Sequence, residues 1–309
     1  MALTTLPQLD SVFLTDAGLE TDIIFNRGID LPYFASITLL QSEEGKLALE
    51  GYFRGFLELA ARKGCGFILE SATWRASKDW AEPLGLSLEQ LDALNVGAIE
   101  MLKQLRSEFE ASIPSIVISG CIGPRGDGYD PGKIMHEDDA ESYHAHQSSV
   151  LAKAGADLLT AITMTNVPEA IGIARAAKRI GIPVAISFTV ETDGCLPTGE
   201  SLSDAVNAVD RATNSSPAYF MINCAHPSHF ATALEVGSDW ASRIRGVRAN
   251  ASRCSHAELD AMTELDRGDF TDLAAQHKVL RQRFPHINVL GGCCGTDLLH
   301  ITAIADACL

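Results

Sequence analysis

The stretch Val289-Leu290-Gly291-Gly292-Cys293-Cys294-Gly295-Thr296 ends a short apolar run with two adjacent cysteines. A third cysteine, Cys224, directly follows another apolar run at residues 219–223. Each run predicts a buried parallel strand, because strands covered on both faces read as continuous hydrophobic stretches. Functional sites of α/β proteins gather at the carboxyl ends of such strands. The three cysteines are therefore expected to meet if both strands belong to one closed barrel.

Three converging cysteines predict a zinc site. Thiolates of Cys224, Cys293 and Cys294 would leave one coordination position open, which is the arrangement of a catalytic zinc and suits a thiol substrate. Ligands of one metal also lie within disulfide reach once the metal departs. The cysteines could instead be small buried residues or a redox-active disulfide, and their long separation fits no compact zinc-ribbon pattern. His226 and His229, close to Cys224, are alternative ligands.

The rest of the chain predicts a barrel. Apolar runs alternate with amphipathic segments, and eight β-then-α units in 309 residues favour a single (β/α)8 TIM barrel of the α/β class. A doubly wound sheet is the alternative, but no G-x-G-x-x-G follows the first strand. The predicted strands are residues 12–15, 66–69, 116–120, 158–161, 184–188, 219–223, 244–248 and 288–290. The predicted helices are 46–62, 88–106, 140–153, 168–179, 202–209, 270–283 and 298–307.

Composition indicates one domain and limits the partners. No linker or change in composition divides residues 1–309, and the 46% hydrophobic content is ample for a large core. The net charge of −16 disfavours nucleic acid and anionic membrane surfaces as partners. Small molecules are the expected partners, and a homo-oligomer is compatible with this composition.

Several features predict a cytoplasmic protein. Residues 1–7 lack the basic and apolar regions of a secretory signal. No stretch approaches the roughly 18 uninterrupted apolar residues of a membrane span. Eight cysteines scattered along an acidic chain are typical of reduced thiols rather than of a secreted disulfide framework.

The motifs at the predicted strand ends resemble the zinc-dependent homocysteine S-methyltransferase family, which includes the betaine-, S-methylmethionine- and S-adenosylmethionine-using enzymes. The resemblance runs from Asp16 to about Ala305. The motifs that carry it are Asp16-Ala17-Gly18-Leu19-Glu20-Thr21-Asp22, Ser71-Ala72-Thr73-Trp74-Arg75-Ala76-Ser77, Ser119-Gly120-Cys121-Ile122-Gly123-Pro124, Ile186-Ser187-Phe188-Thr189, Asn223-Cys224 and Gly291-Gly292-Cys293-Cys294-Gly295-Thr296.

The resemblance implies zinc-dependent methyl transfer to a thiol, as in methionine biosynthesis. Cys224, Cys293 and Cys294 would bind Zn²⁺, and a thiol acceptor bound to the metal would be deprotonated. It would then attack the methyl carbon of a sulfonium or quaternary ammonium donor in line. Such a donor is cationic, so an acidic pocket would favour it.

The resemblance also gives roles to neighbouring side chains. Asp16 would help to hold the amino group of the acceptor, or could cap the following turn. Asn223 could orient a thiolate or the acceptor, or satisfy backbone groups. Thr73, Trp74 and Phe188 are candidate substrate contacts, and the two aromatic rings could attract a methyl cation or belong to the core. His144 and His146, on a predicted helix, are expected at the surface.

One departure from the family concerns the acceptor. The segment after the fourth strand usually reads L-L-x-x-E-T in the family, and its carboxylate binds the amine of homocysteine. Here Ile162 stands at the glutamate position of Leu158-Leu159-Thr160-Ala161-Ile162-Thr163. Ala17 and Asp22 also depart from the glycine and glutamate that are common in the first motif. Since an aliphatic side chain cannot pair with ammonium, we expect a small thiol other than homocysteine as the natural acceptor.

Two other function classes remain open from the residues. A zinc-dependent hydrolase or lyase would hold water at the open position, although such sites usually recruit histidine and carboxylate ligands. A non-catalytic thiol sensor or metal-binding protein could use the same three cysteines.

Overall fold

Eight parallel strands close into a barrel in the computed structural model, which describes residues 6–309. Each strand pairs with the next along the chain, and the last pairs with the first through Phe13 opposite Val289. The predicted (β/α)8 barrel is therefore confirmed. The strands are β1 Phe13–Thr15, β2 Gly66–Glu70, β3 Ile116–Ile122, β4 Leu158–Met164, β5 Val184–Thr189, β6 Tyr219–Asn223, β7 Ile244–Ala249 and β8 Val289–Gly292.

Seven helices of eleven or more residues surround the barrel within residues 6–309, and we label these α1 to α7. They are α1 Glu43–Lys63, α2 Leu88–Phe109, α3 Glu137–Ala154, α4 Val167–Ile180, α5 Leu202–Thr213, α6 Phe270–Arg283 and α7 Leu298–Cys308. Shorter helical segments are Leu19–Thr21, Pro227–Phe230, Asp239–Ser242 and His256–Asp260, a π turn at Asp22–Asn26 and 3-10 turns at Pro7–Leu9, Pro32–Phe34, Ser36–Gln41 and Lys78–Trp80.

The strands bury both faces, as their apolar sequences predict. One set of side chains packs between the strands and the helices, and includes Leu14 and Phe67. The other set fills the barrel interior, and includes Phe13 and Met221. Gly66 is required here because a Cβ at this position would collide with the Phe13 ring. Polar side chains that point into the barrel are consequently held in a dry, closely packed environment.

Local sequence signals mark where the long helices begin and end. Ser42 caps α1 through a hydrogen bond to the Gly45 amide, and Gly64 ends it with a left-handed φ of 63°. Ser87 and Gln90 form a capping box at the start of α2. Such caps satisfy backbone groups that a helix leaves unpaired at its ends.

The helical layer corrects one expectation. His144 on α3 is fully buried and hydrogen bonds to the Glu169 carboxylate at 2.8 Å, so its expected surface position is wrong. The Glu169 carboxylate on α4 offsets the cost of burying the ring, because it supplies a polar partner. His146, two residues further on and therefore on the other side of the helix, is partly exposed and bonds to Asp92.

Two expectations concern the membrane and the amino terminus. No helix within residues 6–309 combines the length and the apolar character that a membrane crossing requires. The expectation about the amino-terminal segment falls mostly on residues 1–5, which lie outside the described residues.

Asp297 anchors α7 directly after the cysteine pair. Its carboxylate accepts hydrogen bonds from the backbone amides of Leu299 and His300, and it also contacts Arg267. Burial tends to raise the pKa of Asp297, but the hydrogen bond from His300 and the charges of His300 and Arg267 outweigh it and lower the pKa to about 2. Ionised Asp297 therefore stabilises the fold.

We expect Asp297→Ala to lower the free energy of unfolding by about 1 kcal/mol at neutral pH, the typical cost of losing an N-cap. Because the pKa of Asp297 is depressed from 3.8 in the folded state, the advantage of the wild type is present above pH 3.8 and fades as the pH falls toward 2. Urea titrations at several pH values measure it. Asp297→Asn, which retains a capping oxygen, is the control, and equal losses for both variants at neutral pH would contradict the capping role.

Candidate active site

Three cysteine sulfurs meet at the carboxyl ends of β6 and β8. The ligand atoms of Cys224, Cys293 and Cys294 all lie within 4.8 Å of one another. Cys224 and Cys293 are joined as a disulfide, with their Cα atoms 5.4 Å apart, and the Cys294 sulfur is 4.0 Å from that of Cys224. The predicted convergence is confirmed, as is the expectation that Cys224 lies within disulfide reach of the pair. We call these three residues the sulfur cluster.

Backbone geometry fixes the sulfur cluster. Cys224 has a left-handed φ of 51°, and its amide bonds to the Arg248 carbonyl on β7. Cys293 donates its amide to Ala249 at 2.8 Å, so both cysteine segments are tied to the same strand. Gly292 is required directly before Cys293 because a Cβ there would overlap the Thr296 side chain. The glycines around the cysteine pair thus allow the chain to turn tightly into the cluster.

A cavity of about 420 Å³ opens beside the sulfur cluster at the same end of the barrel. All three cysteines line it, with apolar walls that include Trp74 and Ile162. Its acidic residues outnumber its basic ones, which are Arg75 and Arg248. The acidic residues are Asp16, Glu20, Glu70, Asp127, Asp260, Glu264 and Asp266. A cavity with this charge favours a positively charged ligand.

A buried ion-pair network forms the cavity floor. The Arg248 guanidinium on β7 donates to Asp16 at 2.6 Å and also contacts Glu70 at the end of β2. All three side chains are buried, and Arg248 donates further hydrogen bonds to the carbonyls of Gly292 and Ala17. Arg248 therefore joins the first, second, seventh and eighth strand ends from inside the barrel.

The network sets the charge of its members. Burial raises the pKa of Asp16 to about 7; Arg248 opposes this, while Glu70 and Glu20 add to it. Burial alone would lower the pKa of Arg248, but Asp16 and Glu70 raise it above its ordinary value, so the guanidinium stays charged. One cation thus faces two carboxylates, and Asp16 takes up a proton more readily than an ordinary aspartate does.

Asp16 lines the cavity as expected, but its carboxylate is already occupied. One oxygen accepts from Arg248, and the other accepts from the Tyr52 hydroxyl at 3.3 Å. Sequence reasoning missed Arg248 and Glu70, although each is a charged residue at the end of an apolar strand. That signal could have marked them as members of a strand-end site.

Replacing Arg248 with methionine is expected to cost roughly 3–5 kcal/mol of folding stability, because two buried carboxylates lose their cation. Thermal and urea unfolding measure the loss. Arg248→Lys, which keeps the charge without the bidentate geometry, should lose less. An Arg248→Met variant as stable as the wild type would show that the network contributes nothing to stability.

Asn223 links β4 to the sulfur cluster. Its side-chain oxygen accepts from the Ser187 hydroxyl at 2.6 Å and from the Thr163 amide at 3.0 Å. Its amide nitrogen donates to the Thr163 hydroxyl at 2.9 Å and approaches the Cys293 sulfur at 3.8 Å. Thr163 has a left-handed φ of 64°, which is rare for a β-branched residue. Asn223 therefore satisfies a backbone amide and lies close to a sulfur, while its role toward a thiolate or the acceptor stays a prediction.

The expected substrate contacts divide into two groups. Trp74 and Ile162 line the cavity, and the Trp74 indole nitrogen donates to the Ile162 carbonyl at 3.3 Å. The structure does not bring Thr73 or Phe188 to the cavity. Thr73 is buried behind it and donates to the Cys121 carbonyl, while Phe188 is buried in the outer layer and stacks on Phe220.

The alternation of side chains along β5 explains the position of Phe188. Successive residues of a strand point to opposite faces. Ser187 faces the barrel interior, where it hydrogen bonds to Asn223, so Phe188 must face the helices.

The two candidate histidine ligands lie apart from the sulfur cluster. His226 is buried, its ring bonds to Ser228, and burial followed by the charge of Arg253 lowers its pKa to about 4. His229 bonds to the Arg253 carbonyl. Among the described residues, the grouping suited to a metal contains the three cysteines alone.

The fold and the site define the class of this protein: a (β/α)8-barrel enzyme with a thiol-rich site at the carboxyl ends of its strands. Residues 13–308 match the family model described as homocysteine S-methyltransferase. The chain therefore belongs to the homocysteine S-methyltransferase family, and its activity class is thiol S-methyltransferase.

Individual relatives have low sequence identity to this chain but align with most of its length. Homocysteine S-methyltransferase 4 of Zea mays is 24% identical over 258 residues, which cover 78% of this chain and 75% of the relative. The oxidized form of the homocysteine methyltransferase MmuM from Escherichia coli superposes with a TM-score of 0.78 at 21% identity, covering 97% of each chain. Its metallated form gives a TM-score of 0.74 at 21% identity, covering 98% of this chain and 99% of MmuM. These structures support the fold.

Proposed function

We propose that this enzyme moves a methyl group from a sulfonium or quaternary ammonium donor to a small thiol that is held by a zinc ion. The observation that carries the proposal is the meeting of Cys224, Cys293 and Cys294 beside an acidic cavity. Family membership supports the reaction class, and the sulfur cluster supports the metal.

The donor set fits zinc. Three soft sulfur ligands within 4.8 Å of one another can occupy three corners of a tetrahedron and leave the fourth for the acceptor. When bound, Zn²⁺ would hold the acceptor sulfur as a thiolate at neutral pH. The disulfide between Cys224 and Cys293 must be reduced before these residues can act as ligands.

The chain's own residues supply position and charge. Asn223 contacts Cys293 and hydrogen bonds to the end of β4. These contacts would hold the residues around the acceptor sulfur in a fixed position. The excess of carboxylates around the cavity favours a donor with a positive charge. Holding acceptor and donor in one small cavity turns a bimolecular step into an oriented one.

The other function classes fit less well. A barrel hydrolase or lyase would need a histidine or carboxylate ligand beside the sulfurs, and the described residues place neither within the cluster. A non-catalytic sensor would not require the acidic cavity that opens on the sulfurs.

Reduced, purified protein is expected to hold close to one zinc per chain, and alanine at Cys224, Cys293 or Cys294 should remove both metal and methyl transfer. The reason is that a site with three protein ligands has no spare ligand. Elemental analysis and a thiol methylation assay measure the two effects. Cys65→Ala, which changes a buried cysteine that lines neither the cluster nor the cavity, is the control, and full zinc content in Cys293→Ala would contradict the assignment.

The cavity also supports an acceptor without an α-amine. Ile162 presents an aliphatic side chain to the cavity, and both oxygens of Asp16 are engaged by Arg248 and Tyr52. An ammonium group beside Ile162 would lose its solvation, and the Asp16 carboxylate of the same cavity already has a partner for each oxygen. We therefore infer that the preferred acceptor is a small des-amino thiol.

The test compares homocysteine with its des-amino analogue, 4-mercaptobutyrate, as acceptors. We expect the wild type to prefer the analogue and Ile162→Glu to shift the ratio of kcat/KM toward homocysteine by about tenfold or more, since a hydrogen bond to a charged group contributes about 1.5–3 kcal/mol. Ile162→Gln, which adds similar volume without charge, is the control. A wild-type preference for homocysteine would overturn the acceptor assignment and leave the zinc assignment intact.

A further inference from the structure

Methyl transfer at a sulfur cluster raises a problem of selectivity. Cys293 and Cys294 are partly exposed and line the cavity, whereas Cys224 is buried. The thiolate of a cysteine is a nucleophile toward the same methyl carbon as the acceptor. If such a cysteine attacked, its sulfur would form the new S–C bond while the methyl bond of the donor broke and left its electron pair on the donor heteroatom. The product would be a neutral thioether, which is a poor zinc ligand.

Each of the two partly exposed sulfurs has a polar neighbour that can donate a hydrogen bond. Asn223 approaches Cys293, as described above, and the hydroxyl of Tyr129 donates to the Cys294 sulfur at 3.5 Å. A hydrogen bond to a thiolate stabilises its negative charge. The electron pair that would attack a methyl group is consequently less available.

Tyr129 is held in this position by a stacked histidine. Its ring stacks on His256, with centroids 3.9 Å apart and planes 10° apart. His256 is fixed by hydrogen bonds to the Cys224 carbonyl at 2.7 Å and to Glu191 at 3.0 Å. The hydroxyl of Tyr129 thus points at the sulfur cluster from a rigid support.

The loop that carries Tyr129 is anchored as well. The Tyr129 amide donates to Asp127 at 2.8 Å, and Asp127 pairs with Arg75, which lies between the rings of Trp74 and Trp80. Gly128 packs so closely that a Cβ would lie 3.0 Å from both Thr163 and Trp74. These contacts hold the residue against the sulfur cluster rather than in solvent.

From these contacts we propose that Tyr129 protects Cys294 from methylation, so that the methyl group goes to the acceptor thiol. Tyr129 is a positioning residue in this role, because it acts through a cysteine. The inference rests on the proposed function for the identity of the methyl donor, but the contact between Tyr129 and Cys294 can be tested without that donor.

The experiment measures alkylation of Cys294 relative to Cys293 by iodoacetamide in reduced, zinc-loaded and metal-free protein, with peptide mass spectrometry as the readout. Tyr129→Phe removes the hydroxyl and keeps the ring on His256. The ratio of alkylation at Cys294 to that at Cys293 should rise about fivefold, the effect of losing about one hydrogen bond. Tyr143→Phe, which loses a buried hydroxyl bonded to Ser77, should leave the ratio unchanged. A general loosening of the site would raise both rates together and not their ratio.

A second arm uses a sulfonium donor, S-methylmethionine, without an acceptor thiol. Tyr129→Phe should accumulate one methyl group on Cys294 faster than the wild type does. An unchanged iodoacetamide ratio in both metal states would overturn the inference. Failure of the proposed function has a different signature, since wild-type protein would then retain no zinc and methylate no added thiol, whatever the alkylation ratio.

Discussion

The closure of the barrel is the constraint on which the site depends. β8 pairs with both β7 and β1, so its carboxyl end must lie beside the ends of these strands, and β6 lies one strand further along. Cysteines separated by most of a βαβα segment are thereby brought within bonding distance. The same closure places Arg248 of β7 beside the carboxylates at the ends of β1 and β2. A sheet open between β8 and β1 would separate Arg248 from both carboxylates, whereas the cysteines that follow β6 and β8 would remain two strands apart.

The site combines closely hydrogen-bonded side chains with carboxylates whose negative charge Arg248 neutralises only in part. Arg248 ties four strand ends together but leaves the cavity floor with more carboxylate than cation. Polar side chains inside the barrel, such as Asn223 and Ser187, are hydrogen bonded to one another. Asn223 also holds the strained backbone of Thr163 at the point where β4 reaches the cavity. Stability and function therefore depend on the same buried groups.

The sequence predicted the barrel and the sulfur cluster because both follow from local patterns. Buried parallel strands read as apolar runs, and Cys224 and the cysteine pair directly follow two of them. The orientation of Phe188 could not be predicted, since a strand buried on both faces does not reveal which of its residues face inward. The partners of Arg248 were equally hidden, because ion pairs across a barrel depend on the register of distant strands.

The acidic cavity has a consequence for how the reaction ends. A sulfonium donor loses the positive charge of its sulfur when it gives up its methyl group, and the neutral thioether sulfur that remains has no attraction to the surrounding carboxylates. A quaternary ammonium donor leaves an amine that can take up a proton and become a cation again. The same ring of carboxylates would thus release the first kind of spent donor and retain the second, so product inhibition would differ between donor classes.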